Sequence, residues 1–274
     1  MSNLEPLVSV PWLARQLDNP KIKIIDCRFQ LANPDWGYQQ YLTGHIPGAY
    51  FLDLNQDLSS PVQEKGGRHP LPDFAKLAQK LAGMGIVSGE TPVIVYDDAR
   101  FAFAARAWWL LRYLGHPQVA ILDGGIRAWE AMENPLSQAI PPSAPGNFLT
   151  SVGSDGVIDI DTLKAKQNLG TMVLIDSREA ARYRGEVEPI DPIAGHIPGA
   201  INSPWQLVSN SEGYLQPISS QRQLWQAYEP RQEIVVYCGS GVTACVNIFS
   251  LFLTGYHNVK LYPGGWSDWC SYLC

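Results

Sequence analysis

The sequence predicts an α/β protein of two similar domains in tandem, each a mostly parallel sheet flanked by helices on both faces. The first observation is an internal repeat, since Gly-His-Ile-Pro-Gly-Ala occurs at 44–49 and again at 195–200. The second is that short apolar runs, such as 93–96 and 234–237, alternate with stretches of helical character. Continuous apolar strands that alternate with helices are typical of parallel sheets covered on both faces.

Four matched segments occur in the same order in both halves of the chain, which indicates two homologous domains. They pair 24–28 with 174–178, 44–49 with 195–200, 93–97 with 234–238, and 124–129 with 264–269. The offset between matched residues falls from 151 to 141 after the second pair. The first half therefore carries ten extra residues between Ala49 and Val93.

The elements follow the same order in each half. An apolar strand ends at Asp-x-Arg, a turn carries the repeated hexapeptide, and a helical stretch leads to a second apolar strand. That second strand ends at Asp97 in the first half and at Cys238 in the second. The last elements are a helix and a short strand that stops at Gly-Gly, predicted at 102–114 and 119–122 in the first half and at 244–253 and 259–262 in the second.

A proline-rich stretch separates the halves. Residues 133–153 contain four prolines together with Ser, Ala and Gly, a composition that suits an extended linker. The predicted boundaries are an N-terminal domain at 1–138, a linker at 139–153 and a C-terminal domain at 154–274.

Composition argues against several classes of protein. Hydrophobic residues make up 46% of the 274 residues and charged residues 17%, so the chain can bury ordinary cores and disorder is not expected. The net charge of −6 gives no reason to expect nucleic acid or an anionic membrane as a partner. The chain shows neither a signal-peptide pattern nor a membrane-spanning apolar window. We expect a soluble monomer with no metal and no cofactor.

The five cysteines are few, scattered and odd in number, which argues against a disulfide framework. They favour a reducing compartment, so we expect a cytoplasmic protein. Cys245 falls inside a predicted helix, where packing is the favoured interpretation. Cys270 and Cys274 are close enough in sequence for a regulatory disulfide, although chance placement near a chain end is the simpler interpretation.

The segment 234–245 carries the candidate nucleophile. Four strand-forming residues end at Cys238, which is followed by Gly239, Ser240 and Gly241 and then by an apolar helical run. A thiol at such a junction faces loop N–H groups and the positive end of a helix dipole, and both favour the thiolate. Packing is the plain alternative for a buried cysteine, but packing does not require a tight, donor-rich loop behind it. Cys238 is therefore the predicted nucleophile.

The first half lacks this chemistry. Asp97 stands where the second half has Cys238, and no glycine loop follows it. We therefore expect a catalytically silent N-terminal domain that lines an interdomain cleft. His45 and His196 occur in the repeated turn without Cys or carboxylate at ligand spacing, so a role in the fold is favoured over a metal site.

With these residues, the chain resembles the tandem-domain rhodaneses, the thiosulfate and 3-mercaptopyruvate sulfurtransferase family. The resemblance covers nearly the whole chain. It is carried by the loop 238–244, the two Gly-His-Ile-Pro-Gly-Ala segments and the Gly-Gly-Trp at 264–266. It implies two rhodanese-like domains, of which only the second is catalytic.

The resemblance also implies a mechanism. The Cys238 thiolate would take the outer sulfur of a small anionic donor and hold it as a persulfide. An acceptor such as cyanide, a thiol or thioredoxin would then remove it, while loop N–H groups stabilise the sulfur anion. The implied supporting ion pair joins Asp176 to Arg178. The implied substrate-binding residues are Arg182, Gly239, Gly241, Val242 and Thr243.

Arg182 matches the substrate-binding arginine of the family. From its spacing alone, it could equally be a neighbour of Arg178 on a solvated helix face. The second arginine that is usual after Glu-Pro in the mercaptopyruvate enzymes is missing, because Ile190 follows Pro189.

Two donors remain open. Members specialised for thiosulfate tend to carry basic residues straight after the cysteine, whereas glycine and Ser240 stand there in this chain, as in the mercaptopyruvate enzymes. In those enzymes the loop serine, a histidine and an aspartate are proposed to form a relay. Ser240 and His69 match the first two, while Asn55 stands where the aspartate is expected, with Asp53 close by. We expect 3-mercaptopyruvate as the donor and keep thiosulfate as the alternative.

Three other functions fit less well. A cysteine phosphatase needs an arginine six positions after the cysteine, where Ala244 stands. A rhodanese module that only binds a partner would usually lack the cysteine. A cysteine hydrolase needs a histidine base, and His69 is available, but a six-residue loop leaves little space for a tetrahedral acyl intermediate.

Overall fold

The computed structural model describes residues 4–153 and 155–273. Contacts divide this part of the chain into two compact units. The first unit contains 4–60, 72–153 and 209–215, and the second contains 61–71, 155–208 and 216–273. Each unit is a parallel sheet with helices packed around it, which confirms the predicted α/β class.

Five strands form the sheet of the first unit. They are β1 (Leu7–Val8), β2 (Lys23–Asp26), β3 (Ala49–Phe51), β4 (Val93–Tyr96) and β5 (Val119–Leu122). Their order is β1-β5-β4-β2-β3, and all neighbours run parallel. Strands β4 and β5 are buried along their whole length, which explains their continuously apolar sequences.

Five helices belong to the first unit. They are α1 (Val10–Ala14), α2 (Trp36–Thr43), α3 (Phe74–Gly83), α4 (Ala104–Tyr113) and α5 (Gly125–Ala131). The side chain of Asp73 caps α3 by accepting the N–H groups of Ala75 and Lys76. Helix α4 begins at Ala104, two residues later than predicted. Arg100 and Phe101 have φ of 59° and 73°, so the chain turns after β4 before the helix starts.

Four strands form the sheet of the second unit. They are β6 (Val173–Asp176), β7 (Ile201–Asn202), β8 (Ile234–Tyr237) and β9 (Val259–Leu261). Their order is β7-β6-β8-β9, and all neighbours run parallel. Asp176 pairs with Tyr237 in the sheet register, so β6 and β8 end side by side at one edge. Reactive groups in open parallel sheets gather at this carboxyl edge.

The helices of the second unit are short, and one of them is buried along most of its length. They are α6 (Ile160–Leu169), α7 (Ala180–Tyr183), α8 (Ile218–Trp225), α9 (Ala244–Leu253) and α10 (Gly265–Cys270), with a 3-10 turn at Trp205–Val208. Helix α9 has the predicted bounds, and its first eight residues are buried. Burial on all sides explains why its sequence is mostly apolar, and its two polar side chains, Asn247 and Ser250, are both hydrogen bonded.

The repeated Asp-x-Arg motif ties each sheet to the turn that follows it. In the second unit, Arg178 binds Asp176 through Nε and Nη2 and donates from Nη2 to the carbonyl of Gly195 at 2.6 Å. The first unit repeats this arrangement with Arg28, Asp26 and Gly44.

The two turn histidines pack within the fold. The ring of His45 stacks 4.0 Å from that of Tyr41, and its Nδ1 lies 2.7 Å from the carbonyl oxygen of the same tyrosine. His196 stacks on Tyr183 in the same way, also at 4.0 Å. The repeated hexapeptide therefore shapes each domain, as the sequence favours.

Residues 61–71 come from the first half of the sequence but pack in the second unit. The N–H of Gly66 donates to Oδ1 of Asp268 at 2.7 Å, and the ammonium of Lys65 lies 4.3 Å from the ring centre of Tyr272. This segment, which we call the strap, lies in the region where the first half has its ten extra residues. It brings His69 into the second unit.

The proline-rich stretch at 133–153 is part of the first unit. The N–H of Ala144 donates to the carbonyl of Gly83, and that of Asn147 donates to the carbonyl of Ile86.

Within the two described ranges, no helix combines the length and the apolar character that crossing a membrane requires. Cys274 lies outside those ranges, so the interpretation of its pairing with Cys270 stays a sequence-based one.

Candidate active site

Cys238 lies directly after β8, at the carboxyl edge of the second sheet. The residue is only 2% exposed, and the loop residues 239–242 are buried with it. A recessed sulfur of this kind can be reached only by a small molecule or by the tip of an extended one.

Two glycines let the loop approach its neighbours closely. Gly241 has φ of 72°, and a β-carbon there would lie 2.4 Å from the carbonyl oxygen of Pro263. Gly265 has φ of 61°, and a β-carbon there would lie 2.5 Å from the carbonyl oxygen of Cys238. Only glycine combines this backbone conformation with so little space.

The start of α10 fixes the direction of the loop peptides. The N–H of Trp266 donates to the carbonyl of Cys238 at 2.8 Å, and the N–H of Ser267 donates to the carbonyl of Gly239 at 2.9 Å. The C=O and N–H of a trans peptide point in opposite directions. The N–H groups of Gly239 and Ser240 therefore point away from α10.

The loop after Cys238 contains unused backbone donors. In the described part of the chain, the N–H groups of Ser240, Val242 and Ala244 donate no hydrogen bond to another residue. Such N–H groups at the entry to a helix form a site for a negative charge. A thiolate, a persulfide anion or an oxygen of an anionic donor would satisfy them.

The first unit shows what such a loop binds. There the carboxylate of Asp97, which replaces the cysteine, accepts four backbone N–H groups at 2.9 to 3.2 Å, from Ala99, Phe101, Phe103 and Ala104. Burial raises the pKa of Asp97, while these four donors oppose that rise. In the repeat, Ala99, Phe101 and Phe103 correspond to the three residues of the second unit whose N–H groups are unused. The loop therefore surrounds a carboxylate in the first unit and a thiol in the second.

Ser240 and His69 are brought together by the strap. Nδ1 of His69 and Oγ of Ser240 are hydrogen bonded at 2.7 Å, and both residues are buried. A hydroxyl and an imidazole in contact can pass a proton between them. Ser240 is two residues after Cys238 in the sequence, so the hydrogen-bonded pair is attached to the loop that carries the predicted nucleophile.

The two candidates for the third relay member lie in the first unit. The carboxylate of Asp53 accepts the N–H groups of Asn55 and Gln56 at 2.8 and 2.9 Å, and burial raises its pKa. Asn55 is an exposed residue. The assignment of either residue to a relay with His69 stays a prediction.

Arg178 is a buried member of a cluster of charged side chains. Its Nη2 lies 2.7 Å from Oδ2 of Asp176, and its Nη1 lies 3.2 Å from Oε2 of Glu188. Burial alone would lower the pKa of Arg178, but the hydrogen bond and the charge of Asp176 outweigh burial and raise it. The guanidinium therefore remains charged and holds Glu188 in place.

Arg182 lies in the same cluster and is only 13% exposed, so it does not lie on a solvated face. Its Nη2 lies 2.6 Å from Oε1 of Glu188 and 3.3 Å from Oδ2 of Asp191. Burial would raise the pKa of Glu188, but the hydrogen bonds from Arg182 and from backbone N–H groups lower it. Burial raises the pKa of Asp191.

A second guanidinium reaches the loop from the strap. A β-carbon at position 239 would lie 2.8 Å from Nη2 of Arg68 and 3.6 Å from both Nη atoms of Arg182. Sequence reasoning missed Arg68, Glu188 and Asp191. The available signal was slight, since Arg68 directly precedes His69 and Glu188 begins the Glu-Pro pair.

Comparison with known proteins agrees with this architecture. The family model of the rhodanese-like domain matches the chain twice, at 9–132 and 159–272. A probable 3-mercaptopyruvate sulfurtransferase of Pseudomonas aeruginosa is 45% identical over 97% of this chain and 95% of its own length. A putative thiosulfate sulfurtransferase, SseB, of Mycobacterium tuberculosis is 38% identical over 91% of this chain and 88% of its own.

A solved structure matches over the same extent. The crystal structure of SseA from Escherichia coli, a 3-mercaptopyruvate sulfotransferase of the rhodanese fold, superposes with a TM-score of 0.80. The match covers 96% of this chain and 99% of SseA at 34% identity. With both halves matched by the same domain model, the chain belongs to the rhodanese-like family and carries two copies of its domain.

Proposed function

We propose that this sulfurtransferase moves sulfur from 3-mercaptopyruvate, through a persulfide on Cys238, to a thiol acceptor. The Cys238 thiolate attacks the donor sulfur, the carbon–sulfur bond breaks, and its electron pair leaves on carbon as the enolate of pyruvate. The proton of the donor thiol ends on that carbon. An acceptor thiolate then attacks the outer sulfur, the sulfur–sulfur bond breaks, and the Cys238 thiolate is restored.

The observation that supports this proposal most strongly is the loop of unused N–H donors after Cys238. The matching loop of the first unit binds a carboxylate through its N–H groups. A negative charge on sulfur in the second unit would receive the same stabilisation, both as thiolate and as persulfide anion. We assign Ser240 and His69 to proton transfer toward the departing enolate, and Asp176 with Arg178 to the support of the site.

The donor choice rests on the residues next to the cysteine. Gly239 and Ser240 add no charge there, and the mercaptopyruvate enzyme of Pseudomonas aeruginosa is 45% identical. Thiosulfate is the second candidate, because Arg68 and Arg182 both approach the loop and the Mycobacterium tuberculosis relative is named for that donor. A non-catalytic binding module is the remote alternative.

A side-by-side assay of the purified protein separates these functions. With cyanide as acceptor, kcat/KM for 3-mercaptopyruvate should exceed that for thiosulfate. The reverse order would make thiosulfate the donor, and no transfer from either would leave a binding module.

We propose in addition that the N-terminal domain is catalytically silent. We also propose that the protein works in the cytoplasm with a thiol or thioredoxin-like acceptor.

Replacing Arg182 tests the anion-binding assignment. We expect Arg182→Ala to lower kcat/KM for the donor by an amount that corresponds to about 1.5–3 kcal/mol, the range for a lost charge-assisted hydrogen bond. The exposed Arg184, which pairs with Glu186, offers a matched control, and Arg184→Ala should behave as wild type. A donor kcat/KM equal to wild type in Arg182→Ala would remove this residue from the binding site.

A further inference from the structure

Asp268 lies on α10 and joins the strap to the sheet of the second unit. Its Oδ1 accepts the backbone N–H of Gly66, in the strap, at 2.7 Å. Its Oδ2 accepts the hydroxyl of Tyr262, the residue directly after β9, at 2.6 Å. Asp268 is only 5% exposed and Tyr262 only 1%, so water does not compete for the carboxylate. Hydrogen bonds to a carboxylate are stronger than those between neutral groups, and these two tie the strap to the sheet.

The strap comes closest to α10 beside this carboxylate. Gly67 has φ of 80°, and a β-carbon there would lie 2.4 Å from the carbonyl oxygen of Gly264, which directly precedes α10. The first turn of the same helix donates to the carbonyls of Cys238 and Gly239. One short helix therefore contacts both the strap and the loop that carries the nucleophile.

The first unit lacks this carboxylate. In the repeat, Ala128 stands at the position of Asp268 and Leu122 at that of Tyr262, and both are buried in the hydrophobic core of the first unit. Apolar residues fill these positions there, so a rhodanese-like domain does not need a carboxylate at this point in order to fold. The carboxylate occurs only in the copy that carries Cys238, where it binds the strap.

We propose that Asp268 is a positioning residue for sulfur transfer, which holds the strap so that His69 meets Ser240. The inference rests on the proposed function, since it concerns the proton transfer assigned to that pair. Gly66 is three residues before His69, so the bond from its N–H to Asp268 fixes the start of the short span that leads to the imidazole. The 2.7 Å contact between His69 and Ser240 depends on that span. A displacement of about 1 Å at a reacting group can cost a large factor in rate.

The test compares Asp268→Ala and Asp268→Asn in the two halves of the reaction. Persulfide formation is measured in a single turnover at saturating 3-mercaptopyruvate, and removal of sulfur from the preformed persulfide by cyanide is measured separately. We expect formation to slow on the order of 10-fold in Asp268→Ala. It should largely recover in Asp268→Asn, whose amide oxygen can still accept the N–H of Gly66. Removal by cyanide should keep its rate, because that step forms no enolate.

Glu233 provides a matched control in the same unit. Its carboxylate is 13% exposed and pairs with Lys166 and Lys260 at 2.5 and 2.9 Å. It directly precedes β8, so it lies at the opposite edge of the sheet from Cys238. Glu233→Ala should lower the urea midpoint but leave both half-reactions at the wild-type rate. Equal slowing of both half-reactions in Asp268→Ala, or rates within about twofold of wild type in both, would overturn the positioning role.

A second variant keeps the test valid if Asp268→Ala does not fold. That change leaves the buried hydroxyl of Tyr262 without its partner, which is costly. The double variant Asp268→Ala with Tyr262→Phe removes the hydroxyl as well, much as the first unit does with apolar residues. It should fold, and the same two outcomes decide the assignment.

A combination with His69→Ala shows whether Asp268 acts through the imidazole. His69→Ala should slow persulfide formation on the order of 10²-fold. Adding Asp268→Ala should slow it no further, because the strap then carries no imidazole to position. Losses that multiply would overturn the assignment. A wild-type rate in His69→Ala would remove the proton-transfer role from the proposed function and the Asp268 assignment with it, whereas slow formation in His69→Ala with a normal rate in Asp268→Ala would overturn the Asp268 assignment alone.

Discussion

Cys238→Ser should lose sulfur transfer from both 3-mercaptopyruvate and thiosulfate while it keeps its fold. A serine hydroxyl cannot form a persulfide, because it has no sulfur atom to bond to the transferred sulfur. Loss of a covalent nucleophile should lower kcat/KM on the order of 10³-fold or more. The change removes no carbon atom from the buried site, so the thermal unfolding midpoint should stay close to that of wild type.

A second buried cysteine provides the matched control. Cys27 lies directly after β2 in the first unit, and burial raises the pKa of its thiol well above the usual value, so it remains protonated. Cys27→Ala should therefore retain transfer from both donors. Full activity in Cys238→Ser, or its loss in Cys27→Ala with the fold intact, would contradict the assignment of the nucleophile.

Asp176→Ala should destabilise the protein by about 3–5 kcal/mol, the range for removing one partner of a buried ion pair. Asp176 is fully buried, accepts the backbone N–H of Arg178 and pairs with its guanidinium at 2.7 Å. Without the carboxylate, the buried guanidinium loses its nearest counter-charge and keeps Glu188, the carbonyl of Gly195 and the ring of Trp266 as contacts. Urea unfolding followed by circular dichroism measures the loss.

An exposed ion pair gives the comparison for this prediction. Glu186 pairs with Arg184 at the surface, where water screens both charges. Glu186→Ala should leave the urea midpoint unchanged. A shift of the urea midpoint in Asp176→Ala no larger than that in Glu186→Ala would show that the buried ion pair does not stabilise the second unit.

Much of the fold follows from local patterns in the sequence. The apolar runs that end at Asp97 and Cys238 mark β4 and β8, and the run after the loop has the bounds of α9. The replacement of the cysteine by Asp97 also indicates which half carries the thiol. These features depend on residues that are neighbours in the chain, which periodicity and turn residues report directly.

The remaining features depend on contacts between distant residues. Nothing local shows that the strap packs beside α10 or that Arg68 reaches Gly239. The start of α4 was missed because Arg100 and Phe101 turn the chain around a buried carboxylate. A sequence pattern carries the preferences of each segment, whereas these arrangements are set by tertiary packing.

The central claim is that sulfur passes through Cys238. The most direct test incubates the protein with 3-mercaptopyruvate in the absence of acceptor and measures the intact mass, followed by peptide mapping. We expect the mass to increase by one sulfur atom, located on the peptide that contains Cys238, and to return to its starting value when a thiol is added. An unchanged mass, or a sulfur atom found on Cys27 or Cys245 instead, would contradict the account.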